Sequence, residues 1–341
     1  MSTSFHLREM LPSDGDALRQ LMETDPPTTD MTTTTHFLVD PYQAWMALKP
    51  GMVGVVAEVP GVDGLVGAAT VSFDNLQFEG EVLPTAFLEN LKVHHAYRGH
   101  DLGTKLAEWR VERARERFGA NGIIATGTTS DNAASLATMK KWATQLVGPL
   151  IAAPYLAPNS APDPLPGITI RAPHADELDE IAAQSNHFYA EYNLYPPLHP
   201  AELKTLLDGN VYHYRVGVDE AGTPCAGALM PERTKLMYDQ FQNVPPAIKE
   251  SGMIPPDERL RLVEVGYFWF TQLAAAQLLW SSLRWEFRES ANTFSVVSDV
   301  SNPLREVFQF ENPATKLEIV VALHAPSPMG TERLLSSVLR G

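Results

Sequence analysis

The sequence predicts an α/β fold with a mixed (α+β) sheet, built as a tandem repeat of two similar domains, the second degenerate. Three observations predict it. First, two segments begin alike. Phe5-His6-Leu7-Arg8 is followed by Asp14, Asp16, Leu18 and Leu21, and Ile168-Thr169-Ile170-Arg171 by Glu177, Asp179 and Ile181. Each reads as a short strand, an acidic helix start and an amphipathic helix. Second, prolines 149, 154, 158, 162, 164 and 166 crowd the middle of the chain. Proline at that density stops helices and central strands. Third, a glycine-punctuated turn, Tyr97-Arg98-Gly99-His100-Asp101-Leu102-Gly103-Thr104, occurs in the first half and has no counterpart in the second. The expected division is residues 1–150, a proline-rich linker at 151–167, and residues 168–341.

In the first half, strands are expected at Phe5–Glu9, Met52–Val59, Leu65–Phe73, Phe87–His94 and Ile123–Gly127, with a strand remnant at Leu146–Ile151. Helices are expected at Gly15–Glu23, Tyr42–Leu48, Gly103–Phe118 and Asn132–Gln145. Thr28–Thr35 reads as a loop. The second half repeats the order. Its strands are Ile168–Arg171, Val211–Asp219, Cys225–Met230, Leu260–Phe270, Phe294–Ser298 and Lys316–His324. Its helices are Ala175–Tyr192, Pro200–Leu207, Ala274–Arg288 and Pro303–Phe310. Met237–Asp257, polar and proline-containing, reads as a surface loop.

Composition narrows the function. The chain has 341 residues, 44% hydrophobic and 20% charged, which suits two globular domains. Its net charge of −15 disfavours nucleic acid as a partner, since phosphate binding needs a basic face. One cysteine, Cys225, rules out an intramolecular disulfide framework and fits a cytoplasmic protein. The N-terminus has neither the basic start nor the apolar core of a signal peptide. The most apolar stretch, Val263–Trp280, is interrupted by Glu264, Gln272 and Gln277, so it reads as strand and helix with no membrane span expected. Oligomeric state is open, with a homo-oligomer among the possibilities.

The glycine turn carries the chemistry. A turn from strand to helix presents backbone N–H groups to a phosphate, and the helix N-terminus adds partial positive charge. Arg98 and Lys105 flank it. Arg110, Arg113, Arg115 and Arg117 interleave with Glu108, Glu112 and Glu116 and read as a solvated helix face. Asp101 is a misfit: it stands where glycine would help and carries the wrong charge.

The segment from Glu89 through Asn90-Leu91-Lys92-Val93 to Gly103 resembles the fourth strand and acyl-CoA loop of the GNAT superfamily of N-acetyltransferases. Arg98 and Gly103 match the first and last positions of the loop pattern Gln/Arg-x-x-Gly-x-Gly/Ala, and Asp101 occupies its middle glycine. Asn132 and Ser135 resemble polar contacts at the start of the next helix. The resemblance covers nearly all of residues 1–150. It implies acetyl-CoA, or another acyl-CoA, as co-substrate and no metal. Leu91, Lys92 and Val93 would pair with the pantetheine amides, and Arg98, Gly99, His100, Asp101, Leu102, Gly103 and Thr104 would hold the pyrophosphate. The implied reaction is direct acyl transfer to a small-molecule amine.

Glu89 and His95 are the catalytic candidates. Glu89 acts as base, directly or through water, or else is a structural or substrate-binding carboxylate. His94 and His95 serve as bases or shape the loop. His94, His95 and His100 lack the companion ligands of a metal site. The family's tyrosine acid would fall at Met139. The second half, Phe268 to Gln277, lacks glycine and arginine at the matching junction, as expected of a degenerate copy in a tandem protein resembling mycothiol synthase. That half would cover the substrate cleft or form an interface, with Phe188, Tyr189, Tyr192 and Tyr195 either lining the cleft or in the core. Asp101 and Met139 also suit an alternative, a non-catalytic acyl-CoA-binding or scaffold protein.

Overall fold

The computed structural model describes residues 4–24, 28–250, 254–299, 301–308 and 317–336. The chain opens with β1 (His6–Glu9), α1 (Gly15–Glu23), β2 (Thr32–Phe37) and α2 (Pro41–Leu48). Arg8 and Asp14 fix the first turn. Both Asp14 oxygens accept from the Arg8 guanidinium at 2.8 Å, and Asp14 also accepts from the Leu11 N–H at 2.7 Å. The second half repeats this device between β8 (Thr169–Arg171) and α5 (Leu178–Phe188). There Glu177 accepts from Arg171 at 2.7 and 2.5 Å and from the His174 N–H at 2.7 Å. The matching openings seen in the sequence are thus the same strand-to-helix clasp.

The first half continues through β3 (Val53–Glu58), β4 (Gly67–Phe78), β5 (Glu81–Val93), α3 (Leu102–Phe118), β6 (Ile123–Thr129), α4 (Ala133–Met139) and β7 (Gln145–Leu156). Helix α3 buries Leu102, Leu106, Ala107, Arg110, Val111 and Ala114, a stripe of helical period that faces the sheet. It ends where Gly119 takes a left-handed φ of 68°. After α5 come β9 (Tyr192–Asn193), α6 (Pro200–Asp208), β10 (Tyr212–Val218), β11 (Pro224–Pro231), β12 (Met237–Gln242), α7 (Pro246–Glu250) and β13 (Arg259–Leu260). The chain closes with β14 (Leu262–Glu264), β15 (Gly266–Phe270), α8 (Leu273–Glu286), β16 (Thr293–Asp299), α9 (Arg305–Phe308), β17 (Leu317–His324) and β18 (Leu334–Leu335).

Among the described residues the largest sheet has nine strands, in the order β1-β3-β4-β5-β6-β17-β7-β16-β14. It runs through both halves. Strand β17, from the end of the chain, lies antiparallel between β6 and β7. A second sheet is ordered β15-β11-β10-β8, and a third, β13-β12-β2, ties the halves together from outside. No helix among the described residues is long and apolar enough to cross a membrane.

Five expectations are corrected. Thr28–Thr35 is not all loop: Thr32–Phe37 is a strand paired with β12, from Thr32↔Gln242 to Phe37↔Met237. β-branched threonine suits a pleated strand, and its partner lies far along the chain. By the same pairing, Met237–Asp257 is not simply a surface loop. The helix expected over Asn132–Gln145 stops at Met139, because Thr144 and the residues after it pair with β17. Prolines do not stop β7. Pro149 falls at a bulge, where the register slips between Ile319 and Val321, and Pro154 pairs opposite Ser295 of β16, beyond the last described pairing to β17 at Ala152. The strand expected over Leu260–Phe270 is divided among three sheets: Leu260 ends β13, β14 joins the nine-stranded sheet and β15 the second sheet, with breaks at Arg261 and Val265. Residues 309–310 of the expected helix Pro303–Phe310 and Lys316 of the last expected strand lie outside the described residues.

The clasps make stability depend on pH. Glu177 is held down to about 2 from the usual 4.5, chiefly by the Arg171 hydrogen bonds, with the His174 N–H assisting against the effect of burial. Its contribution is complete above the ordinary value and is lost as pH falls from 4.5 toward 2. Glu177→Gln should therefore lower unfolding free energy at pH 7 by about 1–2 kcal/mol, allowing for solvent screening. Denaturant melts at pH 7 and pH 3 should show that gap narrowing in acid; a gap independent of pH would rule out this origin.

Candidate active site

Strand β5 carries the site. It pairs in parallel with β6 over Thr85↔Ile123, Ala86↔Ile124 and Phe87↔Ala125, and no further pairing joins them. Past Phe87 the two strands part. On its other edge β5 bulges against β4. Thr70 stands opposite Glu89 and Ala68 opposite Lys92, so Asn90 and Leu91 share the space of one partner residue. Asn90 takes a left-handed φ of 52°, which asparagine tolerates better than most residues.

Side chains hold the gap open. The Thr126 hydroxyl donates to the Leu88 carbonyl at 2.6 Å, and Nη1 of Arg110 donates to the Glu89 carbonyl at 3.0 Å. Arg110 is 4% exposed, and burial pushes its guanidinium down to about 10, with Glu89 opposing. Its assignment to a solvated helix face is thus corrected. Arg110 occupies the apolar stripe of α3, four residues past Leu106.

The parted strands enclose a cleft of about 510 Å³. Leu88, Glu89, Asn90 and Leu91 line one wall, and Thr126 to Thr129 the other. Ser135, Thr138, Met139 and Trp142 close one end, and Val297, Ile319 and Glu264 reach in from the later strands. Asn132 caps α4 by accepting from the Ser135 N–H at 3.1 Å, so it positions Ser135. A second groove of about 700 Å³ lies between α3 and α4, and it shares Thr138 and Trp142 with the first. A third cavity, about 210 Å³, reaches Glu89 and Asn90 from elsewhere; its walls include Trp45, Lys49, Arg233 and Met237.

Glu89 stands where two of these cavities meet. Its carboxylate accepts from the Ser72 hydroxyl at 2.7 Å and lies 3.2 Å from the Lys49 ammonium. Asn90 donates to the Thr70 hydroxyl at 2.9 Å. The second half contributes Arg233 and Glu264, paired at 2.6 Å.

The glycine turn lies at the end of β5. His95, Ala96 and Tyr97 form one turn of 3-10 helix, and Arg98, Gly99, His100 and Asp101 are exposed. Gly99 takes φ 79°, and a Cβ built there would meet no atom within 4 Å, so the turn has open space before it. Asp101 caps α3 in a left-handed conformation, φ 63°, which only glycine adopts freely. Its charge is matched. Lys141, from the turn after α4, lies 3.4 Å from the Asp101 carboxylate and 2.5 Å from the Thr104 hydroxyl. The Thr104 hydroxyl first, and then Lys141, hold the Asp101 carboxyl below its usual range.

The structure brings Glu89, Leu91 and Ser135 to one cleft and sets Arg98 to Thr104 around the α3 N-terminus. His95 lines neither cavity at Glu89; it is exposed and stacks on His94 with ring centroids 4.4 Å apart. Burial, with the nearby charges of His95, Arg98 and Lys92, lowers the His94 pKa. Met139 lies in the cleft wall, 5% exposed. Among the described residues no group of three or more His, Cys, Asp or Glu could hold a metal. Sequence reasoning missed Lys49, Ser72, Thr126, Lys141 and Arg233. Only tertiary contact assigns them.

The second half keeps the backbone pattern without the space. Tyr267 is left-handed at φ 48° within a bulge against β11, as Asn90 is against β4. The carbonyl of the next residue, Phe268, accepts the Tyr189 hydroxyl at 2.8 Å. The N–H groups of Thr271 and Gln272, ahead of α8, donate to the Cys225 carbonyl at 2.9 and 3.4 Å. Tyr189, Tyr192 and Tyr195 are buried in the core beneath, with Phe188 packed against them.

Residues 16–143 match the acetyltransferase (GNAT) family. That segment, more than a third of the chain, is thus similar to GNAT acetyltransferase domains. No curated protein sequence matches it. Among solved structures it is similar to Saccharomyces cerevisiae N-myristoyltransferase with bound myristoyl-CoA, with TM-score 0.65, 12% identity, and 94% of this chain and 83% of that chain covered. It is also similar to GCN5-related N-acetyltransferases. For the one from Sphaerobacter thermophilus the TM-score is 0.57 and identity 14%, over 96% of this chain and 97% of that chain. For the one from Kribbella flavida they are 0.53 and 11%, over 94% and 71%. At these identities the likeness is one of fold.

Arg110 tests the cleft's construction. Arg110→Ala should lower unfolding free energy by about 2–4 kcal/mol, because it opens a cavity and strips the Glu89 carbonyl of its donor. A loss well under about 1 kcal/mol in denaturant melts would show that the cleft wall does not depend on it.

Proposed function

We propose that this protein is an N-acyltransferase that moves an acyl group, acetyl in the simplest case, from acyl-CoA to the amine of a small molecule by direct transfer. One observation carries the reading: the cleft between β5 and β6 meets a separate cavity at Glu89 and Asn90, so a donor and an acceptor can approach the same carboxylate from two sides.

The residues present fit an acyl-CoA. The open cradle before Gly99, the N-terminus of α3, Arg98 and Lys141 suit a pyrophosphate. Leu91, Lys92 and Val93 offer backbone along an edge that β6 leaves unpaired. When bound, acyl-CoA supplies a thioester carbonyl as electrophile and a thiolate as leaving group. Glu89 takes the proton from the amine, directly or through water, with Ser72 and Lys49 fixing its carboxylate. Backbone N–H groups of β5 polarise the carbonyl. The amine nitrogen bonds to the acyl carbon, the C–S bond breaks, and the sulfur takes up a proton. Met139 stands in place of a tyrosine acid, so the hydroxyls of Ser135 and Thr138 or solvent serve in that step.

A non-catalytic acyl-CoA-binding role rests on Asp101 and Met139. The Lys141 partnership at Asp101 weakens the first of these supports.

Calorimetry with acetyl-CoA is the first test, and no binding at millimolar concentration would defeat the enzyme reading. Given binding, Glu89→Gln should keep it while lowering kcat by about 10²–10⁴-fold, as expected for loss of a general base. An unaffected kcat removes Glu89 from that role. Asp101→Gly should tighten CoA binding by about two- to five-fold, since it removes an exposed like charge and frees Lys141. Unchanged affinity would mean that Asp101 does not oppose the phosphates.

A further inference from the structure

We infer that the acceptor is a small amine that also bears a carboxylate and an apolar side chain, an apolar α-amino acid, held in the cavity above Glu89 with Arg233 as its carboxylate anchor. The inference deepens the N-acyltransferase reading and rests on it.

Size is the first argument. The cavity holds about 210 Å³, below the range of about 300–1,000 Å³ common for drug-sized ligands, and suits a molecule of amino-acid size. Its walls are the second. Met22, Phe37, Trp45, Met52 and Met237 give it an apolar side, and methionines adapt to varied aliphatic shapes. Phe37 and Met237 sit directly opposite one another where β2 pairs with β12, so the ribbon that ties the halves together also forms part of the wall.

Charge is the third argument. The chain is strongly acidic, at −15, yet this cavity is lined by two cations, Lys49 and Arg233, and by one anion, Glu89. Lys49 is committed to Glu89 at 3.2 Å. Arg233 gives Nη1 to Glu264 at 2.6 Å and Nη2 to the Met237 sulfur at 3.4 Å. Its Nε is buried and has no hydrogen-bond partner among the described residues. Arg233 lines the cavity, and at Nη2 a ligand carboxylate in place of the weak thioether acceptor gains a charge-assisted hydrogen bond. With the carboxylate on Arg233 and the side chain against the methionines, the amine lies toward Glu89, where the acyl cleft opens. The amine nitrogen then bonds to the acyl carbon, the C–S bond breaks, and the proton released from nitrogen balances the one taken up by sulfur. The product is an N-acyl amino acid and free CoA.

The test follows CoA release from acetyl-CoA with L-methionine, L-leucine, L-methioninamide and isopentylamine on the full chain. The acids should exceed the amide and the alkylamine by about ten-fold or more in kcat/KM, the scale of one hydrogen bond to a charged group. Arg233→Met should collapse the acid-to-amide ratio to within about two-fold, and Arg233→Lys, which keeps the charge and its pairing with Glu264, should retain part of it. Equal use of the amide or the alkylamine, no turnover of any amino acid by a protein that binds acetyl-CoA, or an unchanged ratio in Arg233→Met overturns the inference. If Arg233→Met fails to fold, the ratio in Arg233→Lys decides, and there an unchanged value counts against it. Failure of acetyl-CoA itself to bind is a different result and overturns the underlying reading.

Discussion

The parting of β5 from β6 is the constraint on which the rest of the structure depends. Three residue pairs hold the two strands together, and then the ladder is abandoned. A central sheet gives up hydrogen bonds there, and buried backbone groups do not remain unpaired without cost. The protein answers locally. Thr126 takes the Leu88 carbonyl, Arg110 takes that of Glu89, and the left-handed Asn90 turns the strand edge at the same place. Each of these residues does a structural task, and together they leave a cleft that hydrophobic collapse would otherwise close.

The second half shows the alternative outcome of the same backbone. Tyr267 repeats the left-handed kink, but Tyr189 bonds the neighbouring carbonyl, and the Cys225 carbonyl takes the N–H groups ahead of α8. The groups that face open space in the first half are satisfied internally in the second. Aromatic side chains fill the core there. The second half supplies Arg233, Glu264 and Met237 to the cavities at Glu89.

Much of this was legible in the sequence. Helices α1 and α3 follow their apolar periodicity, and α6 starts at its proline. The turn at Gly99 announced itself through glycine and flanking charge. The paired openings at Arg8 and Arg171 marked the repeat. What escaped detection shares one cause, namely partners distant in sequence. Thr32–Phe37 is a strand because Met237–Gln242 lies beside it. Gln145–Leu156 is a strand despite its prolines because β17 and β16 flank it. Arg110 looked solvated because charge outweighs position in a local reading, although its spacing from Leu106 places it on the buried face. Lys49, Lys141 and Arg233 have no local signature. Their roles come from what the fold sets against them.

The place of β17 also bears on how the protein is made. Strands β6 and β7 both present an edge to residues 317–324. While the chain emerges from the ribosome, those edges exist long before the strand that fills the gap between them. Unpaired edges invite pairing with other chains, and contacts this distant in sequence form slowly. The first half therefore cannot complete its sheet as an independent, early-folding unit. Completion of that sheet waits for residues 317–324, and a nascent chain halted before residue 317 would present an open slot to any extended segment nearby.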